Sequence, residues 1–265
     1  AERLELLDEN QAGFRSGRST ADVVQIMVRI QEDVVDCKRR VNEYAREEQM
    51  GEDEWPSARL LDLRKAYPRV SKPALWKLLE RYGLKGRMLE TVMDLHETTE
   101  YKVRGREGMS EAWLPARGLR EGCSTSPILF NVYHQAVMRL AEERRDEVSD
   151  RPGVEWRWIP GSSFAGNRVW EKGCTEAKSV WITSALFADD TTIVGTKGEL
   201  DEGVNAIKNE MNRWEERNND DKEETLDFST CEGEEIRVLG SWVGTEVDVR
   251  NRIRRAGFLW SRVKG

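Results

Sequence analysis

Two adjacent acids, Asp189 and Asp190, stand between apolar, β-prone runs at residues 184–188 and 191–194. Acids are ordinary in turns, so turn chemistry alone accounts for one reading of the pair. The flanking runs read as buried strands, however, and like charges at the end of a buried hairpin are costly without a compensating cation. Carboxylate oxygens suit a divalent ion such as magnesium. A second apolar run, residues 59–63, is interrupted by Asp62, which reads either as a metal ligand or as a strand-end acid. Two strands could bring Asp62 and Asp189 side by side across a sheet. Carboxylates so placed can hold two metals about 4 Å apart, the arrangement for in-line phosphoryl transfer.

Several elements are needed to hold those acids. Residues 20–49 read as one long helix with Thr20 as N-cap, because Val23, Met27, Ile30, Val34, Cys37, Val41 and Tyr44 recur at steps of four and three. That stripe makes Cys37 a core thiol. Residues 58–63 read as a short buried strand. Ser71 caps the next helix, with Pro73 in its first turn and Gly83 as its stop. Another helix runs to about Thr98, and strand-like segments lie at 101–104 and 111–114. Ser124 opens an apolar helix. Val154, Trp156 and Trp158 alternate with charged residues as in a half-buried strand, and the tryptophans fit strand packing or base stacking. Residues 181–188 and 191–194 form the hairpin around the acid pair. Leu200, Val204, Ile207, Met211 and Trp214 again mark a helix, residues 236–243 a second hairpin, and the basic C-terminal stretch a last helix. Helices and hairpins mixed in this way predict an α+β fold, an antiparallel sheet backed by helices.

Composition narrows the function classes. The 265 residues suffice for one large domain or two lobes, and no run of about 18 apolar residues offers a membrane span. Four scattered cysteines lack the close pairs of structural zinc sites, and two histidines leave carboxylates as the candidates for catalysis. Without a secretory pattern at the start, an intracellular protein with reduced thiols is expected. The first residue is not Met and the end falls within a basic stretch, so the chain reads as an excised piece. A net charge of −7 is unlike a basic nucleic-acid coat, although binding depends on where charges lie.

The blocks around these acids resemble those of reverse transcriptases, and specifically of non-LTR (LINE-type) retrotransposons. Residues 60–67, Leu-Leu-Asp-Leu-Arg-Lys-Ala-Tyr, look like the first palm motif, and Phe187-Ala188-Asp189-Asp190 like the third. Residues 118–131, Gly-Leu-Arg-Glu-Gly-Cys-Ser-Thr-Ser-Pro-Ile-Leu-Phe-Asn, resemble the second. Residues 11–20, Gln-Ala-Gly-Phe-Arg-Ser-Gly-Arg-Ser-Thr, are similar to a fingers motif, and Val238-Leu239-Gly240-Ser241 to the primer-grip hairpin. The blocks occur in family order along almost the whole chain. A lone Asp-Asp pair would say little.

The resemblance implies a right-hand polymerase palm with partial fingers and the start of a thumb. Residues 1–56 would be partial fingers with the long helix, 57–243 the palm, and 244–265 the thumb's beginning; part of the fingers would lie between 72 and 116, and 146–180 form an insert of unassigned fold. The implied activity is RNA-directed DNA polymerisation by two Mg2+ ions, with Mn2+ as an alternative, on an RNA template, a DNA primer and a dNTP. Asp62, Asp189 and Asp190 would be catalytic and metal-binding. Leu63, Arg64, Lys65, Ala66, Tyr67, Gly122, Cys123 and Lys222 would contact the nucleotide. Tyr67 would exclude a ribose 2′-hydroxyl, core packing being its other reading. Lys222 would protonate pyrophosphate, against the reading of a solvated charge run. Arg15, Arg18, Ser126, Pro127, Leu239 and Gly240 would touch nucleic acid, the arginines being equally readable as surface charge. A nuclear location follows by analogy. Pro68 stands where the family commonly has an acid, and the first fingers motif, usually N-terminal to Gln11, is missing. The alternative is therefore a truncated or inactive palm-fold remnant acting at most as an RNA-binding scaffold.

Overall fold

The computed structural model describes residues 7–44, 51–106, 108–150, 152–158, 178–229, 236–239 and 241–243. Helix α1 (Thr20–Tyr44) already includes Thr20, expected as its N-cap; Ser19 precedes the helix, and its N–H donates to the Asp22 carboxylate at 2.6 Å. Val23, Met27, Ile30 and Val34 form its buried stripe, as the four-three spacing predicts. The side chain of Cys37 lies outside the described residues, as do the insert's middle (159–177), Gly240 and the expected C-terminal helix.

Strand β1 (Pro56–Asp62) is followed by short α2 (Ala66–Arg69), α3 (Lys72–Arg81) and α4 (Arg87–Glu97). Ser71 is the N-cap residue of α3, and Gly83, at φ +90°, ends it as expected. Strands β2 (Arg104–Gly105) and β3 (Gly108–Met109) make a small hairpin closed at its base by a Tyr101–Trp113 bridge. Helix α5 (Ser126–Val148) starts two residues later than Ser124, because 120–125 form turns that precede the first helical bonds. Strands β4 (Val154–Trp158) and β5 (Lys178–Ile182) pair as a separate ribbon. The strand expected over 181–188 is split: β5 ends at Ile182, and β6 (Ser184–Phe187) joins the main sheet with β7 (Asp190–Thr196). Helix α6 (Lys197–Arg213) and strand β8 (Glu224–Asp227) follow, then the hairpin of β9 (Ile236–Val238) and β10 (Ser241–Val243).

The main sheet runs β6-β7-β1-β8, with every neighbour antiparallel. Its alternating residues fill two cores. Leu61, Leu186 and Ile193 pack with α3, α5 and α6, while Ala58, Ala185, Val194 and Leu226 pack with α1. Burial on both faces explains why these strands read as apolar runs rather than as alternation. Between Leu129 and Met138 every residue of α5 is buried, so α5 is the central post of the fold. Its buried polar residues each hold another segment. Asn131 donates to the Gly13 carbonyl at 2.6 Å, Gln135 to the Asp8 carboxylate at 2.7 Å, and His134 contacts Glu216 and Thr191. Strand β8, for which the sequence shows no apolar run, forms because its backbone completes the edge of β1, with Leu226 inserted in the α1-facing core. Among the described residues no helix is long and apolar enough to cross a membrane.

Candidate active site

The antiparallel register of β1 and β7 places Asp62 directly opposite Asp190 at one end of the sheet. Directly opposed residues in such a pair project from the same face, so the two carboxylates are neighbours. Asp189 lies one residue earlier, in the two-residue loop joining β6 to β7. It is therefore Asp190, rather than Asp189, that stands side by side with Asp62 across the sheet. The loop's other residue, Ala188, has φ +58° and is buried. That backbone costs a residue bearing a Cβ about 1–2 kcal/mol, so the surroundings must hold it.

Crowding shows in the protonation chemistry. The Asp190 carboxyl is pushed up to about 6, first by burial and then by the charges of Asp189 and Asp62, with Lys222 pulling the other way. Asp190 keeps an exposed surface at the mouth of the site, so solvent screens part of this shift. The Lys222 ammonium lies 3.2 and 3.4 Å from the Asp62 oxygens. Asn219 accompanies it, donating its backbone N–H to the Asp62 carbonyl at 2.8 Å. Lys222 therefore faces the site, although it belongs to an acidic run. Two acids of that run are paired elsewhere, Asp220 with Lys208 at 3.2 Å and Glu223 with Arg59 at 2.8 Å, while Asp221 and Glu224 line the same cleft as Lys222.

A cleft of about 290 Å3 opens here, bounded by Asp62, Asp190, Asp221, Lys222 and Leu239 among others. Among the described residues, no three acidic, histidine or cysteine side chains converge as a ready-made cation cage. The donor set nevertheless fits a divalent ion in kind. It is all oxygen, it is short of positive charge, and the one cation among the described residues lining the cleft, Lys222, is largely exposed.

Tyr67 follows from the local chain path. Lys65 adopts φ +56°, turning the backbone off β1 into α2. The ring of Tyr67 then stacks on Phe130 at 5.1 Å, and Phe130 on His134 at 5.5 Å. Its phenol is pushed above the ordinary range by burial and then by the charge of Asp189. Tyr67 is half-buried, packed against the core beside Phe130. Pro68 lies within α2, where Gly118 packs against it; a Cβ on Gly118 would sit 2.9 Å from the Pro68 Cα. The backbone of Leu119 donates to the Tyr67 carbonyl at 2.9 Å, which brings the loop 120–125 to the same side.

In that loop Gly122 is exposed at φ +77°. The Cys123 thiol is drawn below its usual value by its 3.0 Å contact with the Thr125 hydroxyl. Ser126 is buried and donates to the Arg120 carbonyl at 2.6 Å, which makes it a helix-start anchor; Pro127 beside it is half-buried. Leu63 and Ala66 are buried, while Arg64 and Lys65 are exposed. Arg15 is turned inward, donating to the carbonyls of Asp8 and Gln11 at 2.7 and 3.1 Å, and Arg18 pairs with Glu9.

The sequence profile of the reverse transcriptase (RNA-dependent DNA polymerase) family matches residues 1–243. The chain belongs to that family. This reverse transcriptase domain is 32% identical over 79 residues to the "Retrovirus-related Pol polyprotein from type-2 retrotransposable element R2DM" of Drosophila melanogaster, covering 30% of this chain and 8% of that protein. Its fold is similar to telomerase from Candida albicans, solved with a fragment of telomeric RNA, at a TM-score of 0.55 and 14% identity, over 88% of this chain and 33% of that one. Telomerase from Candida tropicalis, likewise with such a fragment, gives 0.56 and 11%, over 89% and 32%. The domain thus spans a small part of the curated relative and about a third of the telomerase chains. The α+β polymerase palm expected from the sequence is the fold observed, and divalent metal ions are the general requirement of the family.

Sequence reasoning passed over several residues that shape the site of this reverse transcriptase domain. Asn219 braces Asp62. His134, fully buried, places Nδ1 2.9 Å from Glu216 and Nε2 3.1 Å from the Thr191 hydroxyl, one residue from Asp190. Carboxylate oxygens only accept, so the Nδ1 proton points to Glu216. With few histidines in the chain, His134 drew no attention; its position two turns into a motif helix was the available signal. Gln11, quoted within a motif but given no role, lies against the Ala188 turn.

Proposed function

We propose that this domain is the nucleotidyl-transfer core of a retrotransposon RNA-directed DNA polymerase, with Asp62, Asp189 and Asp190 holding two divalent ions. The observation that carries the reading is the facing of Asp62 and Asp190 across β1 and β7, with the resulting excess of negative charge at the mouth of a cleft. Bound there, two Mg2+ ions would offset the carboxylate charge and supply Lewis-acid activation to the primer hydroxyl and the leaving pyrophosphate. The 3′-hydroxyl of a DNA primer on an RNA template would lose its proton to solvent as its oxygen bonds to the α-phosphorus of a dNTP and the bond to pyrophosphate breaks. Tyr67 would screen the sugar 2′ position. Lys222, moving off Asp62, would give a proton to pyrophosphate. Gly122 and Cys123 present a small surface to the nucleotide, and Leu239 borders the primer side of the cleft.

Primer extension on poly(rA) with oligo(dT), dTTP and magnesium tests this, with Asp189→Asn as control. Extension by the unmodified chain alone supports it; equal extension by both proteins sinks it.

A second reading, an RNA-binding scaffold without polymerisation, draws support from Pro68, which stands where the family commonly has an acid. It predicts RNA binding that is salt-sensitive but indifferent to magnesium and dNTP.

A further inference from the structure

The strained turn that carries Asp189 is held from outside its own hairpin. Residues 10–13 run along the free edge of β6: Leu186 N–H donates to the Asn10 carbonyl and Ala12 N–H to the Leu186 carbonyl, each at 2.8 Å. Between them sits Gln11, with no exposed surface. Its side-chain oxygen accepts two backbone protons, from Gly13 at 2.7 Å and from Ala188 at 3.1 Å. Two N–H donors on one atom fix which end of the amide is the oxygen. The amide nitrogen then faces the Ala188 carbonyl at 3.5 Å, a long contact. In a solvent-facing hairpin the Ala188 N–H would bond to water; here it is buried, and Gln11 is its partner.

Close approach completes the device. A Cβ on Gly13 would lie 2.1 Å from the Ala188 nitrogen and 2.8 Å from its Cα, so only glycine lets the loop sit against the turn. Asn131, buried in α5, clamps the other side by donating to the Gly13 carbonyl at 2.6 Å. The post of the fold is thereby linked through Gly13 and Gln11 to the residue before Asp189.

We propose that Gln11 is a positioning residue for catalysis: its carbonyl oxygen locks the φ-positive Ala188 turn and so aims the Asp189 carboxylate. The proposal rests on the nucleotidyl-transfer reading above. It assigns the first residues of the block at 11–20 an internal task, distinct from the template contacts expected of Arg15 and Arg18. Unlocked, the turn would sample other backbone conformations, and Asp189 would spend less time where the reaction needs it.

The test uses the full chain with Gln11→Met, Gly13→Ala and, as a structural control, Asn10→Ala. Asn10 makes a 2.8 Å bond to the Ser184 hydroxyl at the remote end of the same edge contact. Amide hydrogen exchange over 184–190 and dTTP incorporation kinetics are both read. Gln11→Met should raise exchange at the turn about tenfold and lower kcat about tenfold or more, with KM for dTTP within about threefold. Gly13→Ala, which leaves the amide in place but displaces the turn, should do the same. Asn10→Ala should do neither. Unchanged exchange in both loop variants, or raised exchange with unchanged kcat, overturns the proposal. So does an Asn10→Ala protein that matches Gln11→Met. An unmodified chain that incorporates nothing refutes the polymerase reading instead, while exchange still reports on the latch.

Discussion

The two ends of strand β7 carry charge in opposite ways. At the far end Arg145 of α5 is 1% exposed, yet fully answered. Its guanidinium takes both Glu199 oxygens at 2.7 Å, the Val194 carbonyl at 2.7 Å and the Thr183 carbonyl at 3.0 Å. Gly195 and Gly203 leave room for this pair, since a Cβ on either would lie 2.2 Å from a Glu199 oxygen. At the near end Asp62, Asp189 and Asp190 crowd together with one exposed lysine beside them. A buried charge retained for the fold comes with its counter-charge and its hydrogen bonds. A charge cluster retained for chemistry is left short of partners, and that shortage is what a cation or a charged substrate can fill.

The sharpest way to break this contrast is to neutralise one residue at each end. Asp189→Asn should abolish incorporation while leaving thermal unfolding at or above the unmodified midpoint, since it relieves repulsion; a large fall in midpoint would make the near end structural. Arg145→Met should instead cost about 3–5 kcal/mol in denaturant unfolding, because Glu199 is left without its partner. Adding Glu199→Leu to it should recover much of that loss, and failure to recover would mean that the carbonyl contacts dominate.

The pH response sharpens the comparison further. Asp190 titrates near 6 in the fold against an ordinary 3.8, so the folded chain holds more protons between those values than the unfolded one. Stability contributed by this group is therefore present below about pH 4 and lost as pH rises through about 6. Asp190→Asn should remove that decline, so the variant gains on the unmodified protein as pH rises and the advantage levels off above about 6; unfolding curves across the range check the sign. The smallest effect is expected from Lys222→Gln. Its pairing with Asp62 is exposed and worth about 0–1 kcal/mol, so stability should barely move while the Asp190 titration shifts upward. An NMR titration of the carboxyl groups follows it.

Much of this architecture was legible because its signals are local. Val23, Met27, Ile30 and Val34 announce α1 by spacing, and Leu200, Val204, Ile207 and Met211 announce α6. Ser71, Pro73 and Gly83 bracket α3. Strand β8 was not legible: of Glu224, Thr225, Leu226 and Asp227 only one is apolar, and the strand exists because the edge of β1 needs a partner. The split at Thr183 was equally hidden, since one apolar stretch serves two sheets. At the site, Asp62 and the Asp189–Asp190 pair stood out as charge within apolar runs. Their pairing depended on register, which a single residue of slip would reverse.

The sequence by itself singled out the candidate acids, the order of the motif blocks and most helices, because side-chain type and periodicity are properties of the chain. Only the tertiary structure decided that Asp190 rather than Asp189 faces Asp62, that Lys222 turns to Asp62 out of an acidic run, and that Gln11 holds the turn before Asp189. Each of these joins residues more than a hundred positions apart, and sheet register and close backbone approach arise only when distant segments pack.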